Sequence, residues 1–200
     1  MVIGTGAHRV AVRLMLTGIA AAARSPTGVV QTPGLSWGAE PSERTASLPC
    51  DALAPSTVTR ADRAVTIDAS PAIVFAWLCQ LRVAPYSYDA IDNFGRRSPR
   101  ARNAELLHLE VGQRFMTVFT LQSFVDGQQI TLHTRGVAVT YAVRPRGDGS
   151  RLHVRVLFEA PWLVGRIAAL GDAVMMRKQL LTLKSLAEQE ATMAARCRHA

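Results

Sequence analysis

Residues 63–81 read RAVTIDASPAIVFAWLCQL, and within them the hydrophobic period changes from two to nearly four. Val65 and Ile67 alternate with Thr66 and Asp68, the pattern of a half-buried strand. Ser70 then stands where an N-cap belongs and Pro71 at the first helical position. The serine oxygen can accept from a free N–H of the first turn, and the proline ring is pre-set at a helical φ. Ile73, Trp77 and Leu81 form one apolar line with Val74 and Leu78 beside it. The spacing predicts a strand running straight into a helix.

Upstream, residues 25–60 are rich in Pro, Ser, Thr, Gly and Ala without sustained periodicity, which predicts an extended lead-in over residues 37–60 pinned by Trp37, Leu48 and Leu53. Residues 1–36 read as an N-terminal extension. In it His8, Arg9 and Arg13 precede an apolar run from Leu14 to Ala23. That order is signal-like, but the run is too short to span a bilayer. Two locations stay open: the cytoplasm, or export or weak membrane association through residues 1–24.

Downstream, a short helix is expected around Tyr88 to Phe94, ended by Gly95, with a second short element over Ala104 to Leu109. From Gln113 the period is two. Phe115, Thr117, Phe119 and Leu121 share one face of the first strand, and Asp126-Gly127 is a hairpin signal. Ile130, Leu132 and Thr134, then Val137, Val139, Tyr141 and Val143, repeat the alternation. The segment RLHVRVLFE at 151–159 puts Leu152, Val154, Val156 and Phe158 on one face and Arg151, His153 and Arg155 on the other. An antiparallel meander with one dry and one wet face follows. Pro161-Trp162 opens a helix to about Glu190, with a tail over 191–200 that reads as frayed. Ala169, Ala173, Met176, Leu180, Leu183 and Ala187 form one stripe of that helix. Leu163, Ile167, Leu170, Val174 and Leu181 form a second on nearly the opposite face, which predicts cover on both sides.

Two hundred residues, 48% hydrophobic and 19% charged, suffice for one domain with an ordinary core plus tail and linker. The net charge of +8 comes from 23 basic residues, of which only Lys178 and Lys184 are lysine. The local cluster Arg96, Arg97, Arg100 and Arg102 lacks the aromatics that stack bases, so nucleic acid is not an expected partner. Cys50, Cys79 and Cys197 are odd in number and form no CxxC pair, which argues against a disulfide framework. No metal-ligand spacing is present, and neither metal nor cofactor is expected.

The stretches WGAE at Trp37, LPCD at Leu48, the segment at Arg63, YSYDAIDNFGRRS at Tyr86, VGQRF at Val111 and MMRKQLLTLKSLAE at Met175 together resemble a bacterial branch of the SRPBCC superfamily. This superfamily includes the START lipid-transfer domains and the polyketide cyclase/dehydratase group. The resemblance spans residues 37–190 and implies an α+β helix-grip domain over 61–190, a curved antiparallel sheet wrapped around a long C-terminal helix. It also implies an apolar cavity between the two. Cys50, where glycine is expected, and the run Arg82-Val83-Ala84-Pro85 before the tyrosines depart from the pattern.

Candidate residues follow from that cavity. Trp77, Tyr86, Tyr88, Phe115, Phe119, Tyr141, Phe158, Trp162 and Met176 are expected near a ligand, although each alone fits an ordinary core. Tyr88, Asp89 and His133 are the candidates for moving a proton. Aspartates early in a short helix also serve its dipole, and tyrosines can bury rings while keeping their hydroxyls bonded, so a structural role stands beside the catalytic one. His153, between two arginines on the wet face, is expected in solvent. The leading expectation is a binding or carrier protein for a hydrophobic lipid or polyketide-like molecule. The alternatives are an aromatase/cyclase or dehydratase acting on an enclosed polyketide, and a membrane-associated lipid carrier.

Overall fold

The computed structural model describes residues 36–54, 58–93 and 95–198, with the side chains of Asp92, Trp162 and Arg198 outside that description. The signal-like apolar run from Leu14 to Ala23 lies outside the described residues. Strand β1, Thr59–Ile67, pairs antiparallel with β6, Gly149–Phe158, along its whole length, from Thr59 opposite Phe158 to Ile67 opposite Ser150. Strands β2 (Arg114–Phe115), β3 (Phe119–Val125), β4 (Gln129–Thr134) and β5 (Val137–Arg146) complete one sheet in the order β1-β6-β5-β4-β3-β2. Helix α4, Trp162–Arg198, packs against β1 and α2, Pro71–Cys79. This is the helix-grip arrangement, an α+β fold.

Period-two alternation places the inward residues as the sequence predicts. Val139 sits opposite Val156, Tyr141 opposite Val154 and Val143 opposite Leu152, all part of one buried cluster with Leu180 and Leu183 of α4. Gly127 and Gly136 take φ of 68° and 82° at the β3–β4 and β4–β5 turns, where a side chain would be strained.

Three local expectations change. Ser70 holds the N-cap position but its side chain makes no capping bond, so Pro71 at the first turn carries the helix start. The strand expected to run from Phe115 to Leu121 is broken. Met116 and Thr117 adopt φ of 46° and 67°, and Phe115 folds back to pair with Phe119 in a tight β2–β3 hairpin. The third change is that the register shifts between Leu121 and Ser123, leaving Gln122 unpaired. That extra residue turns Phe124 inward to the same core as Leu121.

The outer face of the sheet is not wet. Residues 37–54, expected to be extended, form helix α1, Pro41–Thr45, bonded to Arg60 of β1 and to Arg151 and Arg155 of β6, and a 3-10 turn, Pro49–Ala52, that lies over β4, β5 and β6. Beneath them Asp62 accepts from Arg155 Nε and from His153 Nε2 on one oxygen, each at 2.9 Å, and from Arg60 Nε at 2.9 Å on the other. Arg155 is 0% exposed and His153 3%. His153 is thus an interior group, because the covering segment supplies the partners that let β6 bury its charged face. Arg155 donates onward to the carbonyls of Glu43, Arg44 and Ala46 and to Asp51. Trp37 bridges Arg63 in parallel. At Gly38, whose φ is 69°, a Cβ would stand 2.3 Å from the Ala64 carbonyl oxygen, so glycine lets this strap close.

Helix α4 continues unbroken past Gly171 and past Glu190 to Arg198. Its first stripe is buried at Ala169, Met176, Leu180, Leu183 and Ala187. The second stripe is exposed: Leu163, Ile167, Leu170, Val174 and Leu181 keep between 41% and 64% of their surface. Among the described residues nothing covers it, contrary to the expectation from its pattern. No described helix is long and apolar enough to cross a membrane.

Candidate functional site

A cavity of about 600 Å³ lies between α4 and the sheet. Its sheet wall is Val137, Val139 and Tyr141 of β5 with Val156 of β6. Its helix wall is Ala168, Gly171, Asp172, Met175, Met176 and Gln179, positions that return to one side of α4 at steps of three and four. Pro85, Ser87 and Ile91 on one side, and Met116 to Phe119 on the other, rim the opening. The rim is where the backbone is least relaxed: Tyr86, Met116 and Thr117 are the non-glycine residues with positive φ among those described. A surface groove of about 540 Å³ runs along α4 from Leu181 to Arg196, but one helix alone lines it and it encloses nothing.

Away from Ser87 and Thr117 at the rim, the lining is apolar except for two polar features. The first is a chain of hydrogen bonds. Gln179 Nε2 donates to the Pro85 carbonyl at 2.6 Å and meets Met116 Sδ at 3.4 Å, while its Oε1 accepts from the Tyr141 hydroxyl at 2.8 Å. Burial, reinforced by the nearby Asp172 charge, pushes the Tyr141 phenol far above its ordinary pKa, so it stays neutral. The second feature is an ion pair, Arg63 Nη1 to Asp172 Oδ2 at 2.8 Å. Arg63 is wholly buried and also donates to the Ala169 carbonyl at 3.1 Å. The ion pair is close but poorly directed. Asp172 Oδ2 and the Nη1 and Nε of Arg63 have no aligned hydrogen-bond partner. Burial raises the Asp172 pKa against the pull of Arg63, and lowers that of Arg63 against the pull of Asp172.

Of the residues expected near a ligand, Phe119, Tyr141 and Met176 line this cavity. Trp77 does not: its indole N–H reaches Glu190 at 3.0 Å, and its ring meets Tyr86 edge-on at 6.1 Å, inside the core. Tyr86 is 1% exposed with its hydroxyl unpaired, and burial pushes its pKa up to about 12. Phe115 and Phe158 are core residues away from the lining. The side chain of Trp162 lies outside the described residues.

The proton-transfer candidates lie elsewhere. Tyr88 is 40% exposed and borders a surface groove with Trp37, Val174 and Arg177. Asp89 opens helix α3, Asp89–Asp92, and accepts from the Ser98 N–H at 2.9 Å and the Ser98 hydroxyl at 2.5 Å. Burial works to raise its pKa, but those bonds hold it below the ordinary value, the signature of a loop staple. His133 sits opposite Ala138, on the outer face of the sheet with Thr131 and Thr140, so the pleat aims it away from the cavity. No cluster of three metal-ligating side chains occurs among the described residues.

The sequence reading missed Asp172, Gln179 and Arg63. Each carried a signal. Arg63 occupies the inward phase set by Val65 and Ile67, and Asp172 and Gln179 stand seven apart on the face of Met175 and Met176.

No family model matches the chain, and no curated protein matches it. Solved structures do resemble it in part. Protein CV1439 from Chromobacterium violaceum is 14% identical over 65% of this chain and 98% of its own, with a TM-score of 0.43. The AHSA1-like protein RHE_CH02687 from Rhizobium etli is 15% identical over 68% and 85%, with a TM-score of 0.44. The di-domain ARO/CYC StfQ from the steffimycin biosynthetic pathway is 13% identical over 68% and 52%, with a TM-score of 0.41.

Proposed function

We propose that this protein binds or carries an apolar small molecule in the cavity between α4 and the sheet. The observation that carries the reading is an apolar enclosure of about 600 Å³ with a few inward polar groups. Its size falls in the range of about 300–1,000 Å³ common to small-molecule sites. Ligand surface buried there contributes about 25 cal/mol per Å². Met116, Met175 and Met176 give the walls a side chain that repacks readily around different shapes.

An aromatase/cyclase or dehydratase reading requires two polar groups that converge on a substrate and can exchange a proton with it. The groups the sequence offered for that task, Tyr88, Asp89 and His133, are not among the cavity-lining residues. Tyr141 does line the cavity, but its proton is committed to Gln179. Binding is therefore the better-supported role. A carrier attached to membranes through residues 1–24 would place its anchor outside the described residues.

The test is titration of the purified chain with the neutral fluorophore N-phenylnaphthylamine, alongside a Met176→Trp variant that fills the cavity. Saturable binding by the parent chain and at least about tenfold weaker binding by the variant are expected, a loss of about 1.4 kcal/mol. Equal binding by both, with the variant folded by circular dichroism, would place the fluorophore elsewhere.

A further inference from the structure

The polar groups inside the rim of the cavity are turned the same way. The polarity begins at the Pro85 carbonyl, which can only accept. It therefore faces the amide nitrogen of Gln179, and the second amide hydrogen faces Met116 Sδ. The amide oxygen is left for Tyr141, whose single proton is spent on it. What Tyr141 presents to the cavity is lone pairs. Asp172, on the same lining, presents a carboxylate whose side chain keeps 26% of its surface. The Arg63 guanidinium could reverse this polarity, but it is 0% exposed, outside the lining and behind Asp172. Ser87 and Thr117 sit at the rim, where a hydroxyl can donate or accept and so selects nothing.

We propose that the ligand of this cavity is an apolar molecule bearing a hydrogen-bond donor, a hydroxyl or an amine, delivered to Tyr141 and Asp172. The inference rests on the ligand-binding role proposed above. Asp172 is the second observation behind it: Oδ2 is turned to Arg63 Nη1 at 2.8 Å, and the side chain, which lines the cavity, still keeps 26% of its surface. A buried acceptor left unmatched costs more than a matched one returns, so such a site discriminates chiefly by rejecting ligands that lack the donor. Ethers and ketones of the same shape leave the remaining lone pairs of Tyr141 and Asp172 dry and unmatched. A carboxylate brings a second negative charge to Asp172 and is rejected more strongly.

Four probes of matched shape separate these cases: naphthol, naphthylamine, methoxynaphthalene and naphthoate, each displacing N-phenylnaphthylamine from the full chain. Naphthol and naphthylamine should bind at least about tenfold more tightly than methoxynaphthalene, as one hydrogen bond to a buried acceptor allows, with naphthoate weakest. Whichever of the first two leads identifies the donor. In Tyr141→Phe, checked for folding by circular dichroism, the ratio of naphthol to methoxynaphthalene affinity should fall toward one. Equal affinity for naphthol and methoxynaphthalene in the parent chain, or tightest binding of naphthoate, overturns the donor requirement while leaving the binding role intact. Failure of N-phenylnaphthylamine itself to bind removes the binding role and the donor requirement together.

Discussion

Replacing Arg155 by methionine tests whether the outer face of the sheet is held shut by charge. The guanidinium donates from Nε to Asp62 at 2.9 Å, from Nη1 to Asp51 at 2.8 Å and the Ala46 carbonyl at 2.6 Å, and from Nη2 to the Glu43 and Arg44 carbonyls at 2.9 and 3.2 Å. Methionine keeps the stem and removes all five bonds. Asp62 would retain Arg60 and His153, so its charge is not abandoned. Asp51, with 28% of its side chain exposed, can turn to water. Those two escapes do not remove the cost of breaking a buried pair, about 3–5 kcal/mol. For a domain of this size each kcal/mol lowers Tm by about 2–4 °C, so a loss of roughly 6–20 °C is expected. Thermal unfolding followed by circular dichroism gives the number. Limited proteolysis gives the location, since cutting should begin within residues 36–54 while the sheet resists. A variant that melts within about 2 °C of the parent and is cut no faster would refute the idea that Arg155 fastens this segment.

Other outcomes follow from burial and backbone geometry. Cys50 and Cys79 are buried, which pushes their thiols up to about 12, whereas Cys197 is exposed. One thiol per chain should therefore react with an alkylating reagent at about pH 8 in the native state, and three in denaturant, as intact mass would record. The same burial makes stability pH-dependent on the alkaline side. Cys50, Cys79 and Tyr86 have folded pKa values raised to about 12 from 9.0, 9.0 and 10.0, so folding favours their neutral forms. That contribution is complete below about pH 9 and is lost as pH climbs toward about 12. A urea midpoint that stays level across that window would contradict it. Gly38→Ala would force a Cβ against the Ala64 carbonyl at a φ of 69°. It should cost at least about 1–2 kcal/mol and loosen Trp37, read as a red shift in tryptophan emission at unchanged sheet content.

The fold was readable where the determining chemistry is local. Residues 63–81 name their own strand and helix because period and cap positions are properties of neighbours in sequence. The Gly127 and Gly136 turns announce themselves for the same reason. The break at Met116-Thr117 does not, because alternation continues through it and only the pairing of Phe115 with Phe119 shows the reversal. His153 and Arg155 look like a solvated strand face until residues 43–51 are placed on top of them, about a hundred positions away in sequence. The cavity was legible as apolar stripes, yet its polar groups were not. Asp172, Gln179 and Arg63 are single polar residues within apolar patterns, and their importance comes from facing one another. Tyr88, Asp89 and His133 drew notice as reactive types, but an exposed position, a serine staple and an outward pleat keep them off the cavity lining.

Helix α4 serves two unequal masters along its length. Its second half is tied down: Leu180, Leu183, Leu186 and Ala187 are buried, Lys184 donates to the Thr66 carbonyl, Glu188 accepts from the Asp68 N–H and Glu190 from Trp77. The first half roofs the cavity, buries few side chains beyond Ala169 and Met176, and is held to β1 by Arg63, at Asp172 and the Ala169 carbonyl. Gln179, bonded to Pro85 and Tyr141, marks the seam. Amide exchange along this single helix should therefore be graded, slow after the seam and fast before it, without any break in helical geometry. A roof hinged at a fixed end can lift by fraying its own first turns, so a guest molecule could enter and leave without a single rung of the sheet being broken.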